Sequence, residues 1–267
     1  MTTLADLTRQ TAKLITRLAS GAATSLGTAT TLIDTTGLAG YPNDHFNGGT
    51  IWITSGAQIG KTRAITDFVD STDTLTFATF PAAIASGVTW EAASADFATY
   101  ADLRQAVNLA LREIGKIVDW NEATAVVDDK LVYALPAGVA HVQKIEIVEH
   151  LGDADESKVI NNHCDEIDGY LVFEKYREPH LDTDTIIRIE YKKFHTELSV
   201  DTDALNDQID EEYLVYLAAR QAMRLAYKRF GKAGNTEIPE WLNEAIEEAK
   251  KHIKPNRHSQ RVRVRTA

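Results

Sequence analysis

The chain has 267 residues, 44% of them hydrophobic, and a formal net charge of −11. That composition sustains a sizeable core and sets disorder aside. No apolar run approaches the ~18 residues of a membrane-spanning helix, and the single cysteine, Cys164, excludes an internal disulfide and fits a reducing compartment.

Residues 4–19 read as a helix with Leu4, Leu7, Ala12, Ile15 and Leu18 in one stripe and Gly21 as its stop. The opening MTTLADLTRQTAKL carries charges and lacks an apolar stretch, so it does not read as a secretory leader. Residues 22–94 change character to Thr, Gly, Ser and Ala. Short alternating runs at Thr31–Asp34, Thr50–Thr54, Arg63–Val69, Thr74–Phe77 and Val88–Glu91 are separated by turn signals. Strands at this spacing predict a small β-barrel or sandwich inserted between two helices that pack together. Within it, Gly56-Ala-Gln-Ile-Gly60-Lys61-Thr62 is one residue short of a phosphate-binding loop. Such a loop must open a helix, whereas Arg63–Val69 alternates as a strand, so a hairpin turn with Gly60 at its tip is expected. The runs GGTIWITSG, GKTRAITDFVDSTDTLTF and GVTWEA, within residues 27–93, are similar to small β-modules of tailed-phage neck and tail proteins.

Residues 95–120 predict the central helix. Phe97, Tyr100, Leu103, Val107, Leu111, Ile114 and Val118 recur at three or four residues, with Arg104, Asn108, Arg112 and Lys116 opposite. Thr99 with Asp102 forms a capping box, and Ser94 is an alternative start. Residues 121–206 return to strand character at Leu131–Pro136, Val142–Val148, Gly169–Phe173 and Ile186–Tyr191, with a polar loop at 152–162. Ile187, Ile189 and Tyr191 fall on one side and Arg188 and Glu190 on the other, so the region predicts a small antiparallel sheet with one wet face. His163-Cys164-Asp165-Glu166 is the densest group of ligand-type residues. It lacks a second Cys or a spaced His, so it reads as solvated loop and not as zinc. No metal, cofactor or catalytic residue is assigned, and the chain is not read as an enzyme.

Residues 207–231 predict a second long helix. Asp207, Asp210, Glu211 and Glu212 crowd its start and Arg220, Arg224, Lys228 and Arg229 its second half, both favourable to the helix dipole. Leu214, Leu217, Ala218, Ala222, Leu225 and Ala226 form its apolar face, and Gly231 is its stop. Residues 236–253 predict a last helix with Ile238, Trp241, Leu242, Ala245, Ile246 and Ile253 on one face. The fold class expected is therefore α+β: a long-helix bundle (1–21, 95–120, 207–253) carrying the inserted β domain 22–94 and a second antiparallel region 121–206. An extended arm, 254–267, closes the chain.

The charge is uneven. Lys250 to Ala267 holds seven basic residues and no acidic one, leaving 21 basic against 39 acidic in the rest. Arg261-Val262-Arg263-Val264-Arg265 alternates with period two, which as a strand separates valines from arginines.

From the central helix onward, LREIGKIVDW, Tyr133-Ala-Leu-Pro136, VQKIEI, IRIEYKK, Leu198 with Asp201 and Asp203, and EEYLVYLAARQAMRLAYKRFG resemble a head-to-tail adaptor (connector) of tailed bacteriophages, over residues 95–253. The resemblance implies a structural virion protein, assembled in the host cytoplasm, that forms a ring of about twelve copies beneath the portal. The helical bundle would line a channel through which DNA passes without specific binding. A next neck or tail protein would sit on the far side, and the C-terminal segment would reach the portal. An acidic body suits a channel that must not hold phosphate. Lys254, Arg257, Arg261, Val262, Arg263, Val264 and Arg265 are then the candidate portal-docking residues, adding the arm to the edge of a portal sheet. Two other classes stay open: a nucleic-acid-binding module using the basic tail, and an enzyme with a site assembled from dispersed residues.

Overall fold

A computed structural model describes residues 1–127, 130–151, 154–159, 164–173, 185–229 and 238–252. The chain divides into two compact units, one of residues 1–114 with 197–267 and one of residues 115–196.

The first unit opens with α1 (Leu4–Ile15). Thr3 and Asp6 close a reciprocal capping box, the Asp6 N–H donating to Thr3 Oγ1 at 3.3 Å and the Thr3 N–H to Asp6 Oδ2 at 3.1 Å. The helix ends at Ile15, four residues before the expected end, and the backbone of Thr16 is extended. Residues Ala19–Ala22 form β1 instead. Gly21 is not a helix stop: a Cβ there would lie 2.1 Å from Asp34 Oδ2 and 3.0 Å from the Trp90 ring. Only glycine lets the strand pass under the buried Trp90–Asp34 hydrogen bond of 2.9 Å.

Five further strands follow: β2 (Thr31–Ile33), β3 (Thr50–Ile53), β4 (Thr62–Val69), β5 (Thr74–Phe77) and β6 (Thr89–Ala93). They join β1 in one antiparallel sheet of order β1-β6-β3-β4-β5-β2. The sheet curls as a half-barrel, and beyond β1 the Thr24 N–H donates to Ile33 O at 2.9 Å. Leu32, Phe46, Ile51, Phe68, Leu75 and Trp90 fill its concave side. All four residues of β3 are buried, so this strand is covered on both faces. On the convex face Trp52 Nε1 donates to Thr8 Oγ1 of α1 at 3.1 Å. The sheet is therefore bonded to the helices through a buried contact.

The helices α2 (Tyr100–Ile114), α3 (Glu211–Arg229) and α4 (Glu240–His252) complete this unit. The box between Thr99 and Asp102 starts α2. Ala106 and Ala110 of α2 and Ala218, Ala219 and Ala222 of α3 have no exposed surface, and the two helices lie side by side. Small side chains on both partners permit that approach.

Among its described residues the second unit holds seven strands. These are β7 (Lys116–Ala125), β8 (Val132–Ala134), β9 (Val139–Leu151), β10 (Ala154–Val159), β11 (Cys164–Ile167), β12 (Tyr170–Phe173) and β13 (Thr185–Phe194). A four-stranded sheet of order β10-β9-β13-β7 and a three-stranded sheet of order β11-β12-β8 share one core of Tyr133, Ile145, Ile147, Leu171, Phe173, Ile187, Ile189 and Tyr191.

The fold class differs from the expectation. There is no long-helix bundle among the described residues: the four helices have 12, 15, 19 and 13 residues, and strands dominate. The predicted central helix 95–120 ends at Ile114 because Gly115 takes φ +89°, and Val118 lies in β7. Phe97, placed on its buried face, precedes the helix and is 41% exposed. The single sheet expected over 121–206 is two sheets, and β10 stands where a polar loop was expected. Residues 207–210 precede α3, and Gly231 lies outside the described residues.

Candidate docking surfaces

The seven residues expected to dock on a portal, Lys254, Arg257, Arg261, Val262, Arg263, Val264 and Arg265, all lie outside the described residues. His163 and His180 do so as well. Cys164, Asp165 and Glu166 are not solvated loop but the strand β11. Cys164 is half-buried, and burial, with Asp165 adding to it, pushes its thiol up to about 11. No cluster of three His, Cys, Asp or Glu suited to a metal ion occurs among the described residues. No helix among them is long and apolar enough to cross a membrane.

In the loop between β3 and β4, Gly60 sits at the base and not at the tip. Its N–H donates to Ile53 O at 3.0 Å, and Gly56–Gln58 form a single 3₁₀ turn further out. Lys61 Nζ donates to Gln58 Oε1 at 2.9 Å, and β4 follows directly. The Ile59 and Lys61 amides close turns on Gly56 O and Gln58 O, and the Thr62 N–H goes to Asp201, so these amides do not converge on a phosphate at a helix start.

Arg104, Asn108 and Arg112, which the sequence places opposite the apolar face of α2, hold a strap, residues 197–205, that leads into α3. Asn108 Nδ2 donates to Leu198 O at 3.0 Å, and the Leu198 N–H donates to Asn108 Oδ1 at 2.9 Å. Arg112 pairs with Glu197 at the surface. Asp201 is the centre. It accepts from Arg104 Nη1 at 2.8 Å, from Arg63 Nη1 of β4 at 2.9 Å and from the Thr62 N–H at 3.2 Å. Its own carbonyl accepts the Ala5 N–H of α1 at 3.2 Å. One residue therefore joins the sheet and α2 through its carboxylate, and α1 through its carbonyl, to the strap.

Along the outer side of α1, Arg9 forms a fork with Glu91 of β6 (2.8 and 2.6 Å), and Lys13 adds a contact of 3.1 Å. The Arg9 guanidinium holds the Glu91 carboxyl below the usual carboxylate range, against the opposing effect of burial. On the other flank Gln10 Nε2 donates to Glu211 Oε1 at 2.5 Å. Gln10, Lys13, Leu14, Glu211, Val215 and Tyr216 border an open depression of about 360 Å³. Lys13, the cation on its border, already has a carboxylate partner in Glu91, so the depression is poorly suited to an anionic ligand.

A second surface lies on the three-stranded sheet. Asp168 (φ +48°) and Gly169 (φ +83°) make the two-residue turn between β11 and β12, both in the conformation that a tight hairpin demands. The register sets Ala134, Tyr170 and Ile167 in one cross-strand row and Val132, Val172 and Asp165 in the next. Tyr133, Leu171 and Phe173 point into the core, so these two rows face outward. Val132, Ile167 and Tyr170 are 44%, 52% and 49% exposed. The sequence alternation placed Tyr133 opposite its neighbours but left open what Val132 stands beside. The Asp-Gly pair ahead of YLVF is the signal that would have revealed β11.

No family model matches this chain, and no curated protein matches it.

Proposed function

We propose that the chain is a structural virion subunit: a head-to-tail adaptor that forms a ring, about twelve copies, beneath the portal of a tailed phage. In this reading DNA passes through the ring without specific binding, and a further neck or tail protein lies beyond it. Lys254, Arg257, Arg261, Val262, Arg263, Val264 and Arg265 reach the portal. The observation that carries the reading is the use of charged side chains as braces. Asp201 ties Arg63 to Arg104, Glu91 ties α1 to β6, Glu113 holds Arg220, and Asp102 accepts from Arg229 at 2.5 Å. Each pair joins two elements distant in sequence, and charge-assisted bonds of this kind stiffen a fold. A part that transmits load between a capsid vertex and a tail requires such stiffness. The excess of acidic over basic residues supports the same reading, because a channel that attracted phosphate would stall DNA.

Electron microscopy of the purified protein, alone and mixed with a candidate portal, tests it. Rings that bind the portal are expected, and deletion of residues 254–267 should abolish co-sedimentation with it. A protein that stays monomeric with portal present, or that binds DNA with a log–log salt slope near the ~−4.5 of five phosphate contacts, would overturn it in favour of nucleic-acid binding by the tail.

A further inference from the structure

The edge strand β11 and the exposed rows beside it have a match elsewhere in the same sequence. Among the described residues β11 is the outer strand of its sheet, with β12 on one side only. Asp165, Glu166 and Ile167 are exposed along it, and Asp168 is exposed at the turn. The edge thus offers unpaired main-chain groups, three carboxylates and the start of an apolar face formed by Ile167, Tyr170, Val172 and Val132. An occupant that satisfies all three features is an extended strand, basic, with aliphatic side chains at every second position. Residues 261–265 have that composition, within an 18-residue end that carries seven basic residues and no acidic one.

We propose that in the protein without portal the β11 edge of one copy accepts the C-terminal arm of a second copy as an added strand. Val262 and Val264 continue the apolar row of Ile167 and Tyr170. Arg261, Arg263 and Arg265 fall on the face of Glu166, with Asp165 and Asp168 within reach of their long side chains. The last described residue is His252, so 15 residues remain beyond it, and fully extended these span about 50 Å. That reach is enough to cross to an adjoining molecule. Because the donor patch and the acceptor patch differ, the contact is head-to-tail, and such contacts close into rings or continue as filaments. The inference needs only self-association, so it stands or falls independently of portal binding.

The chain supplies its own probe, since Cys164 on β11 is the only cysteine. The full-length protein is labelled with a small maleimide over a hundredfold range of protein concentration, with mass followed in parallel by light scattering. Labelling of the wild type should slow several-fold as concentration and mass rise. R261E/R263E/R265E should remove that dependence and leave a monomer, and so should D165K/E166K. Combining the two sets reverses both charges and should restore association and protection together, which a mere folding defect in either parent would not do. Protection that does not vary with concentration would place the arm on its own chain and overturn the exchange between copies. Unchanged association in both charge variants, or no restoration in their combination, would overturn the assignment of the edge.

Discussion

Two carboxylates on the same unit illustrate how burial sets the strength of an ion pair. Asp201 is 11% exposed and meets two arginines that are 23% and 18% exposed, whereas Arg112 and Glu197 are 67% and 58% exposed. Replacing one member of a buried pair strands the other charge, so Asp201→Asn should destabilise the protein by about 2–3 kcal/mol, below the fully buried case because both arginines keep some water. Arg112→Ala should cost no more than about 0.5–1 kcal/mol, as exposed pairs do. Urea denaturation of the two variants measures the difference, and equal losses would show that Asp201 is not the brace described. Glu91 adds a pH dependence. Its carboxyl titrates below its ordinary value of 4.5 because Arg9 binds the charged form. The unfolded state therefore takes up the proton first as pH falls. The contribution of the pair is full above pH 4.5 and is lost as pH drops through the lowered folded value. Glu91→Gln should cost about 1 kcal/mol at neutral pH, Arg9 being a third exposed, and should flatten the acid side of the stability profile. A variant with the acid sensitivity of the wild type would remove Glu91 from the account.

At the level of elements, caps and apolar strands were legible and polar edges were not. The Thr99–Asp102 box starts α2 as its spacing predicts, and Thr99→Ala should lower stability by about 1 kcal/mol, read from the shift in the denaturation midpoint. The strands β2 to β6 fall on the alternating runs of the sequence because each has one face in a shared apolar core. β1, β10 and β11 were missed for a common reason. Their residues (ASGA, ADESKV, CDEI) carry little apolar alternation, and among the described residues each lies at the edge of its sheet, paired on one side only. Nothing in such a segment reports the neighbour that makes it a strand. The central helix was overextended because Val118 falls on the three-or-four spacing by coincidence, while Gly115, a good helix terminator, interrupts it. The arginines of α2 were likewise placed opposite its apolar face with no partner named, since Glu197 and Asp201 come more than 80 residues later. The same limit applies to the outer face of the three-stranded sheet, which exists only once β8 and β11 flank β12.

At the scale of the molecule, the division into units does not follow the character of the sequence. The Thr- and Gly-rich stretch 22–94 looks like a module that could be lifted out, yet it sits in one unit with the helices. Trp52 is 2% exposed and is bonded to Thr8, and Arg63 with Thr62 grips Asp201. Removing 22–94 would expose the face of α1 that buries Thr8 and leave Asp201 without two of its donors. Loss of cooperative thermal unfolding is the expected outcome. Residues 115–196 are the separable part. They have their own core, and the chain leaves and re-enters the first unit at neighbouring points, because Arg112 pairs with Glu197 and Asn108 with Leu198. A linker of about four residues, spanning at most ~14 Å, should therefore join Ile114 to Glu197 without strain. The shortened protein should keep the helical circular dichroism of α1 to α4 and a single cooperative melt. It should also keep the sensitivity to Asp201→Asn, since every partner of that residue lies in the first unit. If the shortened chain melts without cooperativity while the deletion of 22–94 does not, the units are drawn in the wrong place and the braces around Asp201 do not hold the fold.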